Sequence, residues 1–164
     1  MRVSHRFLIA LSAAALLAGT AVSQRPDNQL SPLSVSFLHQ GQQQYSSGKF
    51  DEASNSLESA LAADPRNRAA FVVLARVAQK QKLFSKSIRL TNKALALEPN
   101  DLDALEVQGE AMVELGAKAR AQATLAKLQN LCPNGCRQVA ELSSAINRGP
   151  TVASATAPAA PKSN

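Results

Sequence analysis

The chain has 164 residues, a mass of 17.3 kDa and a net charge of +6, which leaves room for one domain of ordinary size or a small domain with tails. Thirty residues are Ala, against five Phe, one Tyr and no Trp, a mix that suits close helix packing and argues against a β-sandwich. At 45% hydrophobic and 18% charged the chain is not wholly disordered; two Cys exclude a zinc site of the Cys₄ kind, and with His5 in the opening segment His39 alone is left for a Cys₂His₂ one.

Arg2, His5 and Arg6 open the chain, and an apolar run from Phe7 to Gly19 follows, broken only by Ser12. Ala21-Val22-Ser23 sets small residues before a cut at Ser23/Gln24, so residues 1–23 read as a secretory signal peptide. The run has 13 residues, short of the roughly 20 that a spanning helix needs. An uncleaved anchor is the alternative, and it would be the protein's membrane contact. Export to the periplasm or cell envelope is expected, with secretion also open. Without this segment 16 basic residues face 12 acidic ones, and the exported protein meets peptides and envelope components rather than nucleic acid. Residues 24–31 read as a flexible linker.

The folded part is expected over 32–148. Pro65, Pro99 and Pro133 lie 34 residues apart. Similar runs precede them: Ala60-Leu61-Ala62-Ala63-Asp64, Ala94-Leu95-Ala96-Leu97-Glu98 and Leu128-Gln129-Asn130-Leu131-Cys132. At the same period Phe37, Phe71 and Leu105 align, as do Gly41, Ala75 and Gly109, and Ala53, Ser87 and Ala121. Small residues in such columns let antiparallel helices approach closely. The pattern predicts helices at about 32–46, 50–63, 67–81, 84–97, 101–115 and 117–131. Ser31-Pro32, Asn67 and Asn100-Asp101 supply N-cap signals. Gly48 and Gly116 fall where a turn needs permissive backbone, and each Pro stops the helix before it. A last helix at 135–147 puts Val139, Leu142 and Ile146 on one face and reads as a polar-backed cap. Residues 149–164, rich in Pro, Ala and Ser, form no apolar period and read as a disordered tail.

This pattern, clearest in Gly41 to Pro65 (G-Q-Q-Q-Y-S-S-G-K-F-D-E-A-x₃-L-x₂-A-x₄-P), resembles the tetratricopeptide repeat family over residues 34–133. The resemblance implies an all-α, right-handed solenoid of three helix–turn–helix repeats (34–67, 68–101, 102–133) with a capping helix at 135–147. It further implies that the first helix of each repeat lines a concave groove for a peptide segment. The groove positions it assigns are Leu38, Gln42 and Tyr45 in repeat 1, with Val35 and Ser46 beside them. In repeat 2 they are Val72, Arg76, Gln79 and Lys80, with Ala69. In repeat 3 they are Asp103, Glu106, Glu110 and Glu114, with Val113. The Glu106/Glu110/Glu114 row is expected to be exposed, with no promise of raised pKa values, and Arg76 and Lys80 are its expected counter-charges. The alternative is a solvated face with weak ion pairs. Where some members of the family clamp a chaperone's terminal carboxylate with Lys, Asn and Arg, this chain has Leu38, Gln42, Val73, Asp103 and Val107, so that role is argued against.

Repeat 2 is the basic one, with Arg68, Arg76, Lys80, Lys82, Lys86, Arg89 and Lys93. Arg89 and Lys93 belong to the convex side, either solvated or in contact with anionic lipid or an acidic partner. Phe71 and Phe84 read as core, which leaves no aromatics for nucleic acid. Cys132-Pro133-Asn134-Gly135-Cys136 places two thiols around a tight turn. In an oxidising compartment they form a structural disulfide that pins the cap, or else a redox-active pair, although the spacing departs from C-x-x-C.

No catalytic constellation, metal set or cofactor motif stands out, and His39 is assigned to a helix contact. The sequence therefore predicts a non-enzymatic interaction module in the cell envelope that holds a segment of a partner protein, with no cofactor and no nucleic acid. Two alternatives stay open: a redox or cofactor-biogenesis accessory using Cys132 and Cys136, and a scaffold subunit of an envelope secretion or pilus machine.

Overall fold

The computed structural model describes residues 29–151, and among them all regular structure is helical. The expected signal segment and all but the first three residues of the expected tail lie outside the described residues. Seven helices run in order: α1 (Pro32–Ser46), α2 (Phe50–Ala63), α3 (Arg68–Lys80), α4 (Phe84–Leu97), α5 (Leu102–Glu114), α6 (Lys118–Leu131) and α7 (Arg137–Arg148). Each helix packs on its successor in sequence. The odd-numbered helices also touch one another, α1 with α3, α3 with α5 and α5 with α7. This is an all-α solenoid of three helix–turn–helix repeats. Its last helix joins the row of first helices instead of merely closing the end.

Local chemistry sets the boundaries. Asn67 caps α3 by accepting the Ala70 N–H (3.1 Å), and Asp101 caps α5 by accepting the Ala104 N–H (2.6 Å). Ser31 departs from expectation. Its side chain makes no capping bond, and its own N–H donates instead to Asp64 Oδ2 at 2.9 Å. Asp64 also accepts from Arg66, which, with the Ser31 N–H, holds its carboxyl well below the usual carboxylate range. At the turns within repeats, Gly48 and Gly116 take positive φ (+74°), and Lys82 takes the same place in repeat 2 at φ +60°.

Two apolar cores run into each other. Leu57, Phe71, Leu74, Val77, Leu90 and Val107 belong to the first, and Leu105, Met112, Leu128, Leu142 and Ile146 to the second. Buried polar groups tie the repeats together. Ser34 Oγ donates to the Ala60 carbonyl (2.7 Å) and accepts from Asn67 Nδ2 (2.8 Å), linking α1, α2 and α3. His39, expected at a helix contact, is exposed, because α1 turns that side to solvent. Phe71 is core, but Phe84 is only partly buried at the start of α4.

Candidate partner-binding groove

The odd-numbered helices line two hollows, of about 440 Å³ and 330 Å³. Gln42, Ala69, Val72, Arg76 and Asp103, five of the groove positions read from sequence, border the larger one. It also takes Arg68 and Val73 from α3 and Arg137 from α7. The smaller one takes Gln79, Lys80, Glu110 and Glu114, again as expected, together with Lys82, Phe84 and Arg148.

Six assigned residues line neither hollow; of these Val113 is buried in the second core, Val35 is half-buried and Ser46 is exposed at the end of α1. Leu38 is buried in the first core, because α1 turns it towards α2 and α3. Tyr45 is partly buried, with its ring 5.9 Å from that of Phe50. Glu106 is the sharpest correction. Its side chain is only 1% exposed, covered by Arg76 from α3 and Arg137 from α7, whose guanidinium groups stand 3.5 and 3.4 Å from Oε2. The expectation of an exposed acidic row with ordinary acidity therefore fails. Burial, with a shared hydrogen bond to Glu141 and the charge of Glu110, pushes Glu106 up to about 7 against the pull of Arg76. Burial likewise raises Glu110. Glu141, bonded by Arg137 at 2.9 Å, is lowered. Oxygens of Glu106, Glu110 and Glu141 lie within 4.8 Å of one another. With two guanidinium groups among them, the set works as an internal network of ion pairs and a shared proton.

Asp103 is the other hub. It accepts from Arg76 (3.3 Å), Arg137 (2.8 Å) and Gln138 (3.0 Å), yet its side chain stays 47% exposed at the mouth of the larger hollow. Arg68 pairs with Asp101 beside it. At the far end, Glu114 accepts the N–H and the hydroxyl of Thr151 (2.9 Å each), and Gln79 donates to the Val107 carbonyl (2.8 Å).

Two residues missed from sequence carried signals. Arg68 stands four and eight residues before Val72 and Arg76, on the same helical face. Arg137 lies one 34-residue period after Asp103, so extending the repeat past Pro133 places it in the groove row. Cys132 and Cys136 are paired, with Cα atoms 5.9 Å apart, in the link between α6 and α7.

A stack of paired helices with a continuous inner row and an open concave face defines a helical-repeat protein. The tetratricopeptide repeat family model matches residues 44–108, and the chain has the fold of tetratricopeptide-repeat domains. Solved structures with the same fold include the first such domain of Spaghetti (RPAP3) bound to the HSP90 peptide SRMEEVD. It is 23% identical, with a TM-score of 0.66 over 73% of this chain and 98% of that one. The TPR2B domain of yeast Sti1 in its pHsp70 complex is 19% identical, with a TM-score of 0.66 over 72% and 98%. The Sgt2 domain from Aspergillus fumigatus is 16% identical, with a TM-score of 0.68 over 76% and 83%. No curated protein sequence matches this chain.

Proposed function

We propose that this protein is a non-catalytic interaction module of the cell envelope that holds a segment of a partner protein along the row α1–α3–α5–α7. The single observation that carries the reading is the larger hollow. Gln42, Val72, Val73 and three arginines from two helices converge on a cavity large enough for a few side chains, with Asp103 at its mouth as the group an incoming carboxylate would displace from Arg76 and Arg137. Such a set offers an apolar floor and fork-shaped donors for a carboxylate. The smaller hollow adds Lys80 and Arg148 facing Glu110 and Glu114. A segment with acidic residues towards Arg68, Arg76 and Arg137, and mixed charge towards Glu110 and Glu114, fits this order.

Of the similar solved structures, one holds an HSP90 peptide and another is a pHsp70 complex, which supports a peptide in this groove. Leu38 and Val107, at two of the five places where some family members carry a terminal-carboxylate clamp, are buried here, which favours a different partner. The envelope assignment rests on the basic and apolar start of the chain. The close pair Cys132–Cys136 supports it, since such pairs persist in oxidising compartments.

The test is a photo-crosslinker at Gln42, exposed at the rim of the larger hollow, with a control at Ala96 on the outer helix α4. We expect a discrete adduct from Gln42 in living cells, identified by mass spectrometry and weakened by Arg76→Gln. Adducts from Ala96 alone, or none from Gln42, would overturn the groove assignment.

A further inference from the structure

We propose that the turn edge of repeats 2 and 3 docks on an anionic phospholipid surface. This edge borders the smaller hollow of the groove, with which it shares Lys82 and Phe84, and shares no lining residue with the larger hollow that carries the proposed function. A third hollow of about 290 Å³ opens there between the α3–α4 and α5–α6 turns. Lys82, Lys86 and Arg89 line it together with Leu83, Phe84 and Leu115, and no carboxylate does. Leu83 and Leu115 are 47% and 49% exposed, at the tips of two successive turns. Lys118 and Arg120 open α6 just beyond Leu115, both exposed. Among the described residues only Lys86 of these five cations is ion-paired, with Glu58 at 3.7 Å.

The backbone adds a separate observation. In the within-repeat turns, repeats 1 and 3 use glycine at the position of positive φ, whereas repeat 2 places Lys82 there at φ +60°. A non-glycine residue is uncommon in that region, and a side chain kept there against its backbone preference points to a use. Here the use is a cation at the tip of the turn, next to an exposed leucine.

Cations interleaved with protruding leucines match a bilayer surface. Lysine and arginine meet the phosphate headgroups, while the leucines enter the boundary with the acyl chains. An extended peptide is better served by the row α1–α3–α5–α7, which lines the two groove hollows. The docking is peripheral: no helix among the described residues is long and apolar enough to cross a membrane.

The chain has no Trp, so one introduced indole is a clean reporter. Full-length Leu115→Trp is mixed with vesicles of phosphatidylglycerol and phosphatidylcholine, or of phosphatidylcholine alone. Leu97→Trp is the control; Leu97 is 44% exposed but lies at the other end of α4, roughly 20 Å from Leu83 at 1.5 Å per residue. The Phe7–Gly19 segment is common to every variant and cannot produce a difference between reporters. We expect a blue shift from Leu115→Trp with the anionic vesicles only and none from Leu97→Trp. Adding Lys82→Gln and Arg89→Gln should weaken vesicle binding roughly tenfold or more. Equal shifts from both reporters, equal binding to neutral vesicles, or no shift at all would overturn the proposal. A shift with poly-glutamate but not with vesicles would overturn it in favour of an acidic protein partner.

Discussion

Gly109 and Leu142 fit into one another across the seam between the third repeat and the last helix. A Cβ built on Gly109 would stand 2.5 Å from Leu142 Cδ2 and 2.7 Å from Cδ1. Leu142 is fully buried and cannot swing into open space. Gly109→Ala is therefore overpacked, and we expect a loss of about 1–3 kcal/mol. Hydrogen exchange should report it first in α7, and protection there equal to that of the unsubstituted protein would contradict this packing.

The period of the sequence reached this far and no further. Pro65 and Pro99 end α2 and α4 within two residues, and the small-residue columns place each helix against its neighbour, so the solenoid was legible. The role of α7 was not. Reading it as a lid hid Arg137 from the groove and left Glu106 on an imagined open face. Burial of Glu106 depends on side chains from α3 and α7 together, and no local pattern on α5 carries that information. Leu38 shows the same limit, because spacing gives a face of α1 but not which flank of it meets α3.

Glu106 makes stability depend on pH. Its folded value, raised to about 7 by burial, exceeds the ordinary value of 4.5. Between those two values the unfolded chain releases a proton that the folded protein keeps, so stability falls as pH rises through this window and levels off above it. The size is on the order of 1–3 kcal/mol. Glu106→Gln should flatten the profile and leave the protein more stable than the unsubstituted chain at pH 8. Urea unfolding at several pH values checks this, and an unchanged slope in the variant would refute it. Asp64, held low by Arg66, acts in the opposite sense: its contribution is present at neutral pH and is lost in acid.

Asn67 serves three helices at once. It is fully buried, caps α3, and donates to Ser34, whose hydroxyl in turn reaches the end of α2. Asn67→Ala removes a cap and leaves a buried hydroxyl with one partner fewer. We expect a loss of about 2–3 kcal/mol, read as a lower urea midpoint. Asn67→Asp keeps the cap acceptor but not the donor, so it should fall between the two. An alanine variant as stable as the parent would mean that water replaces these bonds at no cost.

Lys82 carries a backbone cost that glycine would relieve. Lys82→Gly should raise stability by about 0.5–1 kcal/mol, the left-handed penalty of a side chain partly offset by the greater freedom of glycine when unfolded. The same variant should bind anionic vesicles less well than the parent. Stability and surface binding then move in opposite directions, an outcome that a purely structural lysine would not produce.

The cysteine pair separates the structural reading from the redox one. Cys132 and Cys136 close a small loop where α6 hands over to α7, and chain entropy for such a loop gives about 2 kcal/mol. A structural pair would hold the start of α7 in place, and with it Arg137, which bonds Asp103 and Glu141. Reduction, or Cys132→Ser with Cys136→Ser, should lower stability by about that amount. It should also loosen hydrogen exchange in α7 while leaving α1 to α4 unchanged. Titration against a glutathione buffer gives the complementary readout: a structural pair resists reduction until the protein unfolds, whereas an accessible redox pair equilibrates in the folded state. Ready exchange in the native protein, with no change in α7 protection, would favour the redox reading over the structural one.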